Sequence, residues 1–322
     1  MSEVQIAQTA GVSGGLYLTA VGKAAQIAVI EASRSSETGK AIITFAATYW
    51  RPIHSELMTH RDFSRNAQSS RAYPTAKLLE KVRTKPAGPI HWGKNQPGMQ
   101  AHEECFEEIV HPRTGQLLSR EEAWSMMARE AADWASSWAE AGYHKQIVNR
   151  IIEPYTTITT LITATEWDNW YALRAHADAQ PEIQDVAYTM QSLLPDLEYR
   201  SVHKGSFRDP RTWHLPYVSQ AERLQRDTTM FNMLAMSAAR CARVSYLTHD
   251  REDPTLAKDM DTYIKLVGAE PLHASPLEHQ AHNAGVDERS RNFQGGWVQH
   301  RAMLEGAGGI DIFRSNMDIA RR

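Results

Sequence analysis

Residues 25–32 and 41–50 commit the chain to a sheet. Their cores, Ala25-Gln26-Ile27-Ala28-Val29-Ile30 and Ala41-Ile42-Ile43-Thr44-Phe45, are short and rich in β-branched side chains. Such side chains lose χ1 freedom in a helix but pack well on a pleated surface. The polar stretch 33–39 between them reads as a turn, so the pair reads as two strands. Residues 1–24 hold Gly11, Gly14, Gly15 and Gly22. They lack the glycine spacing and the Lys-Ser/Thr of a phosphate loop, and the expectation there is a flexible or turn-forming lead-in.

Helical signals follow. Pro52 suits the start of a helix carrying His54 to Arg61. Residues 64–74 are polar, end at Pro74 and read as a loop. Prolines and glycines make 83–118 irregular. Ser119 and Glu122 form a capping-box pattern, after which Trp124, Met127, Ala131, Trp134 and Trp138 recur at helical spacing until Gly142. That stripe reads as a core or subunit interface rather than as a cofactor stack. A further helix starts near His144 and stops or kinks at Pro154. Thr165-Glu166-Trp167-Asp168 is a cap-like turn leading into 169–174. Residues 182–194 and 228–247 look helical, 195–210 looks like a linker or long loop, and the tail from Gly306 is Gly-rich and then polar.

The 322 residues hold 35 basic and 38 acidic side chains, a formal charge of −3. This balance argues against a general nucleic-acid or membrane coat but leaves room for a local anion site. Two cysteines cannot build a disulfide framework. No apolar run reaches the ~18 residues a membrane span needs, and the start lacks a basic leader. The expectation is a cytoplasmic globular protein, long enough for one large domain or two small ones, with no evident domain break within 1–322.

The densest polar stretch is 59–71, with Arg61, Arg65 and Arg71 among hydroxyls, amides and His60. Arginine forks beside hydroxyls suit a phosphate monoester, and a solvated helix end has the same composition. Arg150, Asn169 and Arg174 form a second group, in which Arg174 and Asp178 are spaced to pair on one helical face. His273, Glu278, His279 and His282 hold metal-ligating types, but Pro276 breaks the helical register a zinc helix needs, so no metal site is assigned. Cys105 lies among glutamates that oppose a thiolate, and Cys241 reads as a buried structural thiol. No Gly-x-Ser-x-Gly elbow occurs.

His60-Arg61-x-x-Ser64-x-Asn66-x-x-Ser69-x-Arg71 resembles the signature of the flavin-dependent thymidylate synthases (ThyX). Arg150-Ile151-Ile152-Glu153-Pro154, Asn169-x-x-x-Leu173-Arg174 and Ala179-Gln180-x-Glu182-Ile183 are similar to that family's second half. Together the motifs span 40–190. Ala238 to Tyr246 and His273-x-Ser275-Pro276-x-Glu278-His279, within 228–300, resemble what normally precedes the signature. The segment order thus looks rearranged, as in ThyX-like proteins of bacteriophages. Thr59 replaces the first arginine of the signature, Ala67 a glutamate and Ala72 a tyrosine. Glu56 stands where glutamine is frequent, and Asp178 where histidine is.

The resemblance implies an α/β (α+β) fold with a central, largely antiparallel sheet packed with helices, and a homotetramer sharing its sites between subunits. It implies methylation of dUMP at carbon 5, with methylenetetrahydrofolate as carbon donor, FAD as hydride carrier and NADPH as reductant. Another pyrimidine such as dCMP, or a binding protein without catalysis, remains an alternative. Carried over by position, His60, Arg61, Ser64, Asn66, Asn169, Asp178 and His279 are expected at the flavin. Glu56, Gln68, Ser69, Ser70, Arg71 and Arg150 are expected at the nucleotide, Arg150 on its phosphate. Arg174 is expected to polarise the pyrimidine.

Overall fold

A computed structural model describes residues 4–10, 16–225, 228–244 and 255–306. Its main sheet has seven strands. In chain order they begin with β1 (Gln5–Ala10), β2 (Leu16–Val21), β3 (Gln26–Ser35), β4 (Ala41–Trp50) and β5 (Ser64–Ala67). A two-residue hairpin, β6 (Ile109–Val110) with β7 (Leu117–Leu118), stands apart. β8 (Thr157–Ala164) then inserts between β4 and β5, and β9 (Arg200–Val202) runs parallel to β3. All other pairings in the main sheet are antiparallel.

The expected pair of strands is present as β3 and β4. Three readings need correction. The lead-in 1–24 contains β1 and β2, paired along their whole length; the Gly11–Gly15 run lies outside the described residues. The loop expected at 64–74 begins with β5, because the backbone of Ser64–Ala67 pairs antiparallel with the interior strand β8. The linker expected at 195–210 contains β9.

Helices α1 (His54–Leu57), α2 (Thr75–Thr84), α3 (Arg120–Glu140), α4 (Lys145–Ile151), α5 (Asp168–Arg174) and α6 (Pro181–Ser192) come from the first two-thirds of the chain. The helix expected from Pro52 to Arg61 is a 3-10 turn followed by the single turn α1. The capping box of α3 forms as read. Its buried face, however, is Ala123, Ala128, Ala132 and Ala135, while Trp134 is 67 % and Trp138 38 % exposed. Small residues let α3 pack closely on α2 and α4 through Leu78, Leu79, Val82, Val148 and Ile152, so the tryptophan stripe lies beside the core rather than in it.

The C-terminal part holds β10 (Trp213–His214), α7 (Gln220–Leu224), α8 (Met230–Arg243), α9 (Leu256–Gly268), β11 (Ala281–Asn283), β12 (Trp297–Gln299) and α10 (His300–Glu305). β10, β11 and β12 form a small antiparallel sheet.

The main sheet has two chemically different faces. Ile43, Phe45, Ala47 and Tyr49 of β4, with Ile158, Ile162 and Ala164 of β8, form one core with Trp170, Ile183, Val186 and Met190 of α5 and α6. The other face carries threonines. Thr44 and Thr163 lie opposite each other and share a hydrogen bond of 2.7 Å, as do Thr48 and Thr159 at 2.8 Å. The C-terminal part covers this polar face, with His214 on Thr44 and His279 on Thr163. A bulge between Val29 and Glu31 resets the alternation of β3. It puts Val29 on the apolar face, opposite Phe45, and Glu31 on the threonine face, opposite Thr44.

Candidate functional site

Arg174, Glu56, His60 and Thr59 meet where α5 ends beside the α1 turn. The Arg174 guanidinium donates from Nη1 to Glu56 Oε2 (2.9 Å) and from Nε to His60 Nε2 (3.1 Å). Nη2 lies 3.5 Å from the Thr59 hydroxyl. α5 ends at Arg174, so the expected pairing with Asp178 does not form; Asp178 lies near His176 instead. An arginine at position 59 would repel Arg174 here, whereas the Thr59 hydroxyl donates to the Glu56 carbonyl and keeps its lone pairs for the Arg174 guanidinium.

His60 is buried against Phe63 and Trp170. Burial, then Arg174 and Arg65, hold its imidazole down at about 4. It is therefore neutral at pH 7, as its role as acceptor from Arg174 requires. Burial also raises the Glu56 carboxyl, against the pull of Arg174 and with a push from Glu182. The cluster is a fixed cation beside a carboxylate and a neutral imidazole.

A cavity of about 640 Å³ opens beside β5. Ser69 and Arg71 from the first motif line it, together with Arg65, His54 and the α4 residues Lys145 and Gln146. Its far wall is 272–276, including His273 and Ser275. The end of the motif and the residues after it are held by α4: Asn149 donates from Nδ2 to the carbonyls of Ser70 (2.7 Å) and Tyr73 (3.0 Å). The Gln68 amide donates to the Thr159 carbonyl, so β8 continues to support the chain past β5.

Not every expected contact residue faces this space. Ser64 is buried, and its hydroxyl accepts from Asn292 and Gln299. Asn66 does line the cavity, but its amide is committed within the chain: it donates to the Cys241 carbonyl at 2.7 Å and accepts from Ser275 at 3.2 Å, which ties β5 to α8. Both hold the site together within this chain. His279 is fully buried on Thr163. Arg61, Asn169 and Asp178 are exposed. Arg150 is exposed as well, pairs with Glu153 at 3.2 Å and does not line the cavity. Lys145 is the α4 cation that does; only its polar place at a helix start was visible in sequence. Burial pushes the Cys241 thiol far up, which fits a structural role.

The segment from β3 to α6 thus carries both motifs, the first on β5 and the turns flanking it and the second on α4, α5 and α6. The family model for thymidylate synthase complementing protein, Thy1, matches residues 28–197, more than half of the chain. The chain belongs to that family. By class it is a flavin-dependent thymidylate synthase-like methyltransferase. The match ends before β9, so the C-terminal part that covers the threonine face lies outside it. Two similar solved structures are of the UMP/dUMP methylase PolB from Streptomyces cacaoi. The one bound with 5-Br UMP is 15 % identical, with 54 % of this chain and 89 % of that chain covered and a TM-score of 0.39. The one bound with 5-Br dUMP is 14 % identical, with 54 % and 90 % covered and a TM-score of 0.35. No curated protein matches the chain. Among the described residues, no helix is long and apolar enough to cross a membrane.

Proposed function

We propose that this protein methylates carbon 5 of dUMP to give dTMP, with methylenetetrahydrofolate as carbon donor and NADPH as reductant. The observation that carries the reading is the Arg174–Glu56–His60 cluster in a member of this family, where Glu56 and His60 lie close in sequence to the Ser69–Arg71 wall of the cavity. Bound FAD would supply the hydride chemistry between NADPH and the one-carbon unit, which side chains lack. The donor set suits such groups: Arg65, Arg71 and Lys145 with the Ser69 hydroxyl make a cavity for phosphate oxygens. His60, Arg61, Asn169 and His279 are the flavin-side residues in this reading.

Arg174 has the most demanding role. Placed at the carbonyl edge of the pyrimidine, its fixed charge stabilises the negative charge that builds on the ring as carbon 5 attacks. Glu56 and His60 hold the guanidinium plane in one orientation before substrate arrives. Arg71 and Lys145 bind phosphate, with Arg150 further out. Further copies of the chain assemble into a tetramer and cover the exposed Trp134 and Trp138; gel filtration reads the assembly.

Glu56 also favours a second reading. A carboxylate accepts from a 4-amino group, whereas the uracil 4-carbonyl needs a donor, so the same cluster suits dCMP. Incubation of flavin-loaded protein with NADPH, methylenetetrahydrofolate and either dUMP or dCMP, followed by mass analysis, separates the two. The expected product is heavier than dUMP by one CH2. Absence of product from both nucleotides overturns the enzymatic reading.

A further inference from the structure

An unbroken line of hydrogen bonds crosses the threonine face of the sheet. The Ser33 hydroxyl lies 3.3 Å from Glu31 Oε1, and His214 Nδ1 lies 2.9 Å from Ser33 Oγ. His214 Nε2 is 2.8 Å from Thr44 Oγ1, which is 2.7 Å from Thr163 Oγ1, which is 2.8 Å from His279 Nδ1. His214, Thr44, Thr163 and His279 are each wholly buried. Beyond His279 the line stops: its Nε2 is buried with no partner among the described residues.

The direction of every bond follows from the first. Arg200 and Arg223 pair with Glu31, and the Leu215 amide donates to it, so it is a carboxylate that can only accept. Ser33 must then donate to Glu31 and accept from His214 Nδ1–H. That leaves His214 Nε2 a bare lone pair, which takes the Thr44 proton. Thr44, having spent its one proton, accepts from Thr163, and Thr163 accepts from His279 Nδ1–H. His279 is left with its proton on Nδ1 and a lone pair on Nε2. Burial holds both imidazoles neutral, His214 at about 4 and His279 at about 3, which the scheme requires.

We propose that Glu31, through Ser33, His214, Thr44 and Thr163, fixes the tautomer of His279, so that His279 meets its ligand as a hydrogen-bond acceptor at Nε2. Glu31, His214, Thr44 and Thr163 are positioning residues in this arrangement. The bulge in β3 is what brings Glu31 onto the face where the line can start. Only the consequence for a ligand rests on the flavin reading of His279; the tautomer itself does not. A buried N–H or O–H donor completes the set.

Long-range proton–nitrogen correlation spectra of the full chain, labelled with 15N-histidine, read the tautomer directly at neutral pH. The expected wild-type result is a single His279 species protonated at Nδ1. Thr44→Val leaves the Thr163–His279 contact in place but removes the proton acceptor that sets its direction, so a mixture of tautomers is expected. Thr163→Ser keeps the hydroxyl and keeps the single tautomer. A wild-type His279 protonated at Nε2 overturns the proposal, whatever the variants do. So does a folded Thr44→Val protein with unchanged His279 signals. Flavin content is measured in parallel. A protein with the Nδ1–H tautomer that never binds flavin refutes the functional reading and leaves this inference standing.

Discussion

Replacing Arg174 by alanine separates a catalytic from a surface role more sharply than any other change. The substitution removes three contacts at once. His60 is 6 % exposed and loses the donor to its Nε2, a loss of about 1–3 kcal/mol for a buried acceptor. The Glu56 pair, with side chains 20 % and 30 % exposed, adds under ~1 kcal/mol after solvent screening. Folding should thus weaken by roughly 2 kcal/mol. If Arg174 also stabilises charge on the pyrimidine, the chemical step loses ~3 kcal/mol more, or about a hundredfold in rate. Arg174→Lys keeps the charge beside Glu56 but has no planar fork to reach His60 as well, so it should recover only part of both losses. Single-turnover flavin oxidation with dUMP and the folate reads the chemistry, and urea unfolding reads the fold. The His60 imidazole should also rise from about 4 in Arg174→Ala, because Arg174 is the second cause of its depression after burial. A wild-type single-turnover rate at wild-type flavin content would falsify the catalytic role. Wild-type stability would contradict the contacts themselves.

Acid should destabilise the protein early. His60 and His214 are held at about 4, and His279 and His300 at about 3, all chiefly by burial. Unfolded imidazoles bind protons near 6.5, so stability is full above that pH and falls as pH drops toward 3; a urea midpoint that stays flat from about pH 7 to pH 4 would contradict this. Asn66→Ala removes the side-chain donor to the Cys241 carbonyl, which keeps the Val244 amide at 3.3 Å, and should cost about 0.5–1.5 kcal/mol, with thermal unfolding as the check. Arg71→Ala and Lys145→Ala should raise the Michaelis constant for the nucleotide with little change in turnover. Arg150→Ala, outside the cavity, should do so less; equal effects from Lys145 and Arg150 would show that the cavity wall is not the phosphate site.

The central hairpin, the capped helix α3 and both family motifs were legible because each is a local pattern: β-branched runs, a capping box, a fixed spacing of polar types. β8 carries the same local signal, with six β-branched residues among the eight of Thr157–Ala164, although no strand was expected there. Its insertion between β4 and β5, both remote in sequence, is what a local pattern does not give. The exposure of Trp134 and Trp138 likewise depended on which face of α3 the small alanines allowed α2 and α4 to approach. At the site, residue types alone determined that arginines, hydroxyls and a histidine would gather around 59–71. Tertiary structure decided that Arg174 pairs with Glu56 and not Asp178, that Lys145 lines the cavity in place of Arg150, and that His279 ends a line begun at Glu31. The physical reason is the same in each case. Local sequence sets backbone preference and available chemistry, whereas a hydrogen-bond partner more than 100 residues away is chosen by sheet register and by the burial that forbids an unpaired polar atom.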